Sequence, residues 1–254
     1  KLQDKNFDFD LLFTHLISVD HMAHAYGLGD ARMAAQIKVF DEFIADVLKM
    51  VDDDTTVLIF GDHGSKFSGV HGGGSEDEMT TAILAYNKKG FEKYSRKDLD
   101  KVMRSVKETT SSTKQQDLTS TISMLMGVPI PFSNLGQIIN DIYPIMGSNE
   151  GECGFVTQMA HDNNLNSLQI VNYIKKFQEE THLFEQTKVD EINNLAQEIG
   201  SLYDQITPAN CNKAIDAIIK AQSLSETSYN LVRGAGTFDM GLISQGYILL
   251  ALTI

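Results

Sequence analysis

Residues 55–64 read TTVLIFGDHG, and the fold turns on how that stretch is taken. Residues 55–60 form a short apolar run of the kind found in strands covered on both faces. The run stops at Gly61 and is followed at once by Asp62, His63 and Gly64. Two similar runs lie on either side: residues 11–19 read LLFTHLISV and residues 80–86 read TTAILAY. Between the first two, Met33, Ile37, Phe40, Ile44, Val47, Leu48 and Val51 recur at spacings of three and four over residues 31–51. That is the period of an amphipathic helix, and Asp52-Asp53-Asp54 ends it. Strand, helix, strand with such apolar strands predicts an α/β fold, a mostly parallel sheet with flanking helices.

Further along, residues 88–117 are polar and rich in charge, which predicts a surface excursion with one short helix. Residues 118–126 are expected to be helical, stopped by the Gly127-Val128-Pro129-Ile130-Pro131 run. From about residue 148 the character changes. Residues 165–222 are polar, rich in Asn, Gln and Glu, and nearly free of Gly, which predicts a helical connector and not more sheet. Residues 240–254, MGLISQGYILLALTI, carry no charge. They are shorter than the ~20 residues of a membrane span, so the start of a membrane helix and a buried terminal helix both fit. The chain opens on the charged stretch Lys1-Leu2-Gln3-Asp4-Lys5 without a Met, as expected of a cut inside a larger protein, and the lack of a signal peptide is uninformative.

Composition narrows the function. A hydrophobic fraction of 42% over 254 residues is that of a globular chain with a core. A net charge of −13 argues against binding nucleic acid, because no basic patch is there to neutralise phosphates. It leaves phosphate substrates open if metal ions supply the local positive charge. The two cysteines, Cys153 and Cys211, fit one disulfide or two free thiols equally.

The chemistry sits just after the apolar runs. Asp20-His21-Met22-Ala23-His24 follows the first, Gly61-Asp62-His63-Gly64 the second, and His71-Gly72-Gly73-Gly74-Ser75 comes seven residues on. In open α/β sheets, ligands bind outside the carboxyl ends of strands. Carboxylate and imidazole together are the donor set for zinc and similar borderline metals. Asp20 and His24 share one turn, and the glycines around Asp62 and His63 let both side chains reach one ion. Five candidate ligands, Asp20, His24, Asp62, His63 and His71, are too many for one tetrahedral catalytic zinc and too few for two complete sites. Two metals roughly 4 Å apart would clamp a transferring phosphoryl group. His15, inside an apolar run, is expected to be a packed core residue. His21 fits a substrate contact or an exposed surface equally, and His161 and His182 are expected to be solvated.

Asp20-x-x-x-His24, GDHG at 61–64, GVHGG at 69–73 and Ser75-Glu76 together resemble the alkaline phosphatase superfamily. More narrowly the chain resembles the ethanolamine phosphate transferases of GPI-anchor assembly, in particular the branch acting on the third mannose. VDHMAH at 19–24 and PIPFSNLG at 129–136 contribute to this. Residues 117–136 are similar to the segment that closes the catalytic domain in those enzymes. A weaker similarity runs through LNSLQIVNYIKKF at 165–177 to FDMGL at 238–242, where the family's transmembrane helices begin.

The resemblance implies a partial alkaline-phosphatase-like domain, the C-terminal part of a catalytic domain, over residues 1–147. A helical connector over 148–237 and the start of a membrane-spanning segment over 238–254 would follow. It also implies that Asp20, His24 and His71 hold one zinc while Asp62 and His63 hold part of the set for a second. The rest of that second set, an Asp and the nucleophilic Thr, would precede residue 1, so the chain alone is expected to be inactive. The implied substrates are a phospholipid donor and a GPI glycolipid acceptor. The implied location is the endoplasmic reticulum membrane, with the catalytic domain lumenal and a small membrane partner subunit. The family usually has Gly at the position of Ala23 and Met-Thr at Ser65-Lys66, and Lys66 is expected to point to solvent. Two other readings are a phosphodiesterase or nucleotide pyrophosphatase of the same superfamily, and a non-catalytic membrane-tethered module whose 165–222 segment binds a partner.

Overall fold

The computed structural model describes residues 9–89, 112–142, 151–207 and 212–236. They fall into two compact units, the first built from residues 9–89 and the second from the remaining described residues.

In the first unit, helix α1 spans Ser18–Tyr26 and helix α2 spans Ala31–Met50. Asp30 caps α2, its Oδ1 accepting from the Arg32 amide at 2.9 Å, and the carboxylate pairs with the Arg32 guanidinium through two contacts of 2.8 Å. The guanidinium carbon lies 3.4 Å from the centre of the Tyr26 ring, which fastens the turn between the two helices. Strand β1 is Val57–Phe60, helix α3 is Glu76–Met79 and strand β2 is Ile83–Tyr86. The strands pair antiparallel, Val57 opposite Tyr86 and Phe60 opposite Ile83. Ion pairs of 2.6 Å from Lys88 to Asp53 and from Lys89 to Asp54 close the far end.

The structure departs from the sequence expectation in the sheet. Among the described residues it has two strands, and they are antiparallel. The α2 helix and the two runs at 55–60 and 80–86 are found where the pattern puts them. The run at 11–19 is not a strand: residues 11–17 have no regular structure and Ser18 already begins α1. A strand buried on both faces needs neighbours for its N–H and C=O rows. Nothing described provides them here, and Leu11, Phe13 and Ile17 are 58%, 75% and 48% exposed. His15 is exposed as well, not a core residue. Of the predicted apolar stripe on α2, Met33 is buried while Ile37 is exposed.

In the second unit, helix α4 is Gln115–Leu125, a short 3-10 turn spans Asn140–Ile142, and three long helices follow: α5 over Gly151–Thr181, α6 over Gln186–Asp204 and α7 over Asn212–Ala235. The stretch is helical as expected, and its helices enclose a core of their own. Phe155, Val156 and Met159 of α5 pack on Ala214, Ala217 and Ile218 of α7. Ile170 and Ile174 pack on Ile192, Ile199 and Leu224.

Most polar residues of 165–222 are exposed, but Asn166 and Gln169 face inward and, with Ser120 and Ser225, hold the 129–136 loop. The Ser120 hydroxyl donates to the Gly136 carbonyl at 2.7 Å, and so does Asn166 Nδ2 at 3.0 Å. Gln169 Nε2 donates to the Phe132 and Asn134 carbonyls, and the Ser225 hydroxyl to that of Leu135. Asp117 is buried and accepts from the Lys114 and Gln137 amides at 2.8 and 2.9 Å. PIPFSNLG is therefore a piece of the helical unit, and residues 112–142 group with α5–α7 and not with residues 9–89. His161 Nδ1 lies 2.9 Å from the Tyr203 hydroxyl and is half-buried, whereas His182 is exposed. Cys153 is disulfide-bonded; the chain's other cysteine, Cys211, lies outside the described residues.

No helix among the described residues is long and apolar enough to cross a membrane. The expected membrane segment at 238–254, and most of the expected surface excursion at 88–117, lie outside the described residues.

Two measurements test this unit. Ile174→Ala empties a site that is 1% exposed and should lower stability by about 2–5 kcal/mol, while Leu168→Ala, at 47% exposed, should change it by less than about 0.5 kcal/mol; urea unfolding followed by helical circular dichroism reads both. Burial pushes the Asp117 carboxyl above its ordinary value of 3.8 against the pull of its two amide donors. Because the folded value is the raised one, this group's contribution to stability is greatest at the acid end and is lost as pH rises through the folded value. A carboxyl NMR titration with a midpoint at or below 3.8 would contradict that environment.

Candidate metal centre

The five candidate donors come from three places in the first unit. Asp20 and His24 lie one turn apart on α1. Asp62 and His63 follow β1, and His71 lies on the loop that leads to α3. Backbone contacts bring these places together. The Gly61 amide donates to the Ala82 carbonyl at 3.2 Å and the Gly64 amide to that of Glu78 at 2.9 Å, so the chain leaving β1 is pinned against the start of β2. The loop then folds back on α1. The Leu28 amide donates to the Phe67 carbonyl at 3.0 Å, and Gly69 rests on the carbonyl of Ala23. A Cβ at Gly69 would stand 1.9 Å from that oxygen, and the residue has φ +82°. Both facts demand glycine.

His24 Nε2 and His71 Nε2 face each other at 2.9 Å. Asp20 Oδ1 lies 3.5 Å from the first and 3.3 Å from the second. The His63 ring stacks on that of His71 with centroids 3.8 Å apart. One donor atom each from Asp20, His63 and His71 falls within a 4.8 Å span. Asp62 joins through its neighbour, Oδ2 lying 3.7 Å from His63 Nε2. His63 Nδ1 is 3.0 Å from the Gly64 carbonyl. The tautomer that donates this bond leaves the Nε2 lone pair for a ligand. The structure thus draws Asp20, His24, His63 and His71 together, with Asp62 at the more exposed edge; His15 and His21 are exposed and not among them.

The donor set and its spacing fit a borderline divalent cation. Bonds of about 2.0–2.1 Å in a tetrahedron put neighbouring donors about 3.3 Å apart, and the Asp20, His24 and His71 separations of 2.9, 3.3 and 3.5 Å bracket that value. Two imidazole nitrogens at 2.9 Å repel when both present lone pairs; a shared proton or a cation between them removes the conflict.

Sequence reasoning missed one residue here. Glu78 is buried, and its carboxylate accepts from the Gly73 and Ser75 amides and from the Ser75 hydroxyl. The Ser75 hydroxyl and Gly73 amide lead in holding its pKa down to about 2. Lys66 is not simply solvated: its Nζ lies 3.4 Å from Glu78 Oε2. The signal was present, since Ser75-x-x-Glu78 has the spacing of a capping box.

Comparison with known proteins gives first a class. The family model for type I phosphodiesterase / nucleotide pyrophosphatase matches residues 1–72, a stretch that contains all five donors. Within that class the resemblance is to the GPI ethanolamine phosphate transferases. The chain is 38% identical to GPI ethanolamine phosphate transferase 3 of Saccharomyces cerevisiae over 55% of its own length and 14% of the relative's. It is 24% identical to the catalytic subunit of GPI ethanolamine phosphate transferase 3 of Homo sapiens over 77% of its length and 17% of that protein's. To GPI ethanolamine phosphate transferase 2 of Schizosaccharomyces pombe it is 23% identical over 85% of its length and 28% of the relative's. The chain thus resembles GPI ethanolamine phosphate transferase 3 and spans a small part of the relatives it matches. No solved structure matches it.

Gly69→Ala places a methyl group against the Ala23 carbonyl and should destabilise the first unit by about 1–3 kcal/mol. Loss of the NMR contact between the His24 and His71 rings is expected with it. An unchanged melt and an unchanged ring contact would show that α1 is seated by something else.

Proposed function

We propose that this chain is part of a two-zinc phosphoethanolamine transferase of GPI-anchor biosynthesis, moving phosphoethanolamine from a phospholipid to a mannose of the GPI precursor. The observation that carries the reading is the meeting of Asp20, His24 and His71 at mutual donor distances of 2.9–3.5 Å. In this reading those three hold one zinc, and Asp62 and His63 contribute to the second. When bound, zinc supplies Lewis-acid stabilisation of the phosphoryl oxygens and favours the deprotonated form of an attacking oxygen. The chain's own residues fix the donors: Asp20 and His24 through their helix, and His63 through the Gly64 carbonyl. The nucleophilic Thr and the remaining ligands of the second ion are proposed to lie outside these 254 residues, as the resemblance implies.

The GPI pathway and a GPI acceptor are supported by the names of the relatives; the endoplasmic reticulum membrane is proposed with them, as the resemblance implies. A lumenal position is supported by the disulfide-bonded state of Cys153, because disulfides persist in oxidising compartments. The human relative is named a catalytic subunit, which supports a partner subunit here. The family model's description favours one alternative, a soluble-substrate phosphodiesterase or nucleotide pyrophosphatase using the same ligands.

Metal analysis and activity separate these readings. The parent protein should contain zinc, and His71→Ala should remove one of the two ions; a metal-free parent would end the proposal. Phosphoethanolamine transfer from phospholipid to a mannose-bearing glycolipid should exceed hydrolysis of a nucleotide diester, and Asp62→Ala should abolish it. Full activity on the nucleotide alone would favour the alternative. Imidazole must be neutral to bind metal, so zinc affinity should fall as pH drops below about 6.5, and a flat profile from mildly acidic to neutral pH would contradict histidine ligation.

A further inference from the structure

The loop that carries His71 continues as Gly72-Gly73-Gly74 before Ser75. Three successive glycines offer no side chain to fix the loop, so whatever holds the imidazole must grip its backbone. Glu78 does so. Its Oε1 accepts from the Gly73 amide at 3.0 Å and its Oε2 from the Ser75 amide at 3.3 Å, with the Ser75 hydroxyl and Lys66 Nζ also on Oε2. The carboxylate is buried, and these donors meet the need that burial creates. A Cβ at Gly73 would lie 2.7 and 2.8 Å from its two oxygens, so the loop backbone rests directly on the carboxylate.

The grip extends to α1. Lys66 opens a tight turn in which its carbonyl accepts from the Gly69 amide at 2.8 Å and its amide donates to Val70 at 3.0 Å. Gly69 of that turn is the residue seated on Ala23, between Asp20 and His24 in the helix. One carboxylate therefore touches both the segment bearing His71 and the turn that seats the other two donors.

We infer that Glu78 is a positioning residue that sets the distance of His71 from the Asp20–His24 pair, and that Lys66 acts through it. The consequence for metal binding rests on the zinc reading above; the positioning itself does not.

Glu78→Gln keeps the size but puts an amide NH2 where the carboxylate had an acceptor, facing donors. Zinc affinity of the chain, read by chelator competition, should weaken about 10–100-fold while helical circular dichroism stays unchanged. Lys66→Met should weaken it less and add nothing in the Glu78→Gln background, as expected of residues acting as one unit. His71→Ala marks the full loss. Wild-type affinity in Glu78→Gln would overturn the inference, and fully additive effects would overturn the part given to Lys66.

If the wild-type chain binds no zinc, the zinc reading fails and the positioning is read without metal. Faster amide exchange at Gly73 and Ser75 in Glu78→Gln, with a weakened His24–His71 ring contact, supports it; unchanged exchange and contact overturn it. Should Glu78→Gln fail to fold, Lys66→Met reads the same link, since the Lys66 side chain is 53% exposed. Faster exchange at the two amides then supports the inference and unchanged exchange overturns it.

Discussion

The contact of Gly69 with the carbonyl of Ala23 governs the arrangement of the first unit. A loop that leaves β1 with two donors and carries a third has to return to a helix that carries the other two. Backbone-to-backbone approach this close is open only to glycine. It lets the Leu28 amide reach the Phe67 carbonyl and leaves the His24 and His71 rings facing each other. Moving the turn outward by the width of a methyl group would separate donors whose spacing now suits a single cation.

The second unit uses a different device for a similar problem. The 129–136 loop has two prolines and little regular structure, so its carbonyls need partners from elsewhere. Ser120, Asn166, Gln169 and Ser225 supply them from three helices. Around this polar clamp the apolar residues of α5, α6 and α7 close a separate core. The loop is thus an organiser of the helices, which gives PIPFSNLG a physical role beside its value as a marker of relatedness.

Some of this was legible along the chain. The period of residues 31–51 marked α2, and the β-branched runs marked β1 and β2, because periodicity and propensity are local. The donors were legible because Asp and His crowd together beside glycines at the ends of apolar runs. One reading failed for a reason that is not local. LLFTHLISV has the pattern of a buried strand, but a strand also needs a neighbour, and no local pattern says whether one is there. Residues 165–222 were legible as helical and polar, and most of their polar side chains are exposed; what no local pattern gives is that Asn166 and Gln169 meet a loop some thirty residues away in sequence.

By itself the sequence determined which residues carry donor chemistry, where the helices of the first unit's α2 and the strands fall, and which known proteins the chain resembles. Those properties reside in residue identity and short-range spacing. Only the tertiary structure decided that the strands pair antiparallel and that a glycine turn seats on α1. It alone brought Asp20, His24 and His71 within 3.5 Å of one another and made Glu78 part of the setting. Each of these depends on backbone groups far apart in the chain meeting at hydrogen-bond distance, and no run of neighbouring residues encodes that meeting.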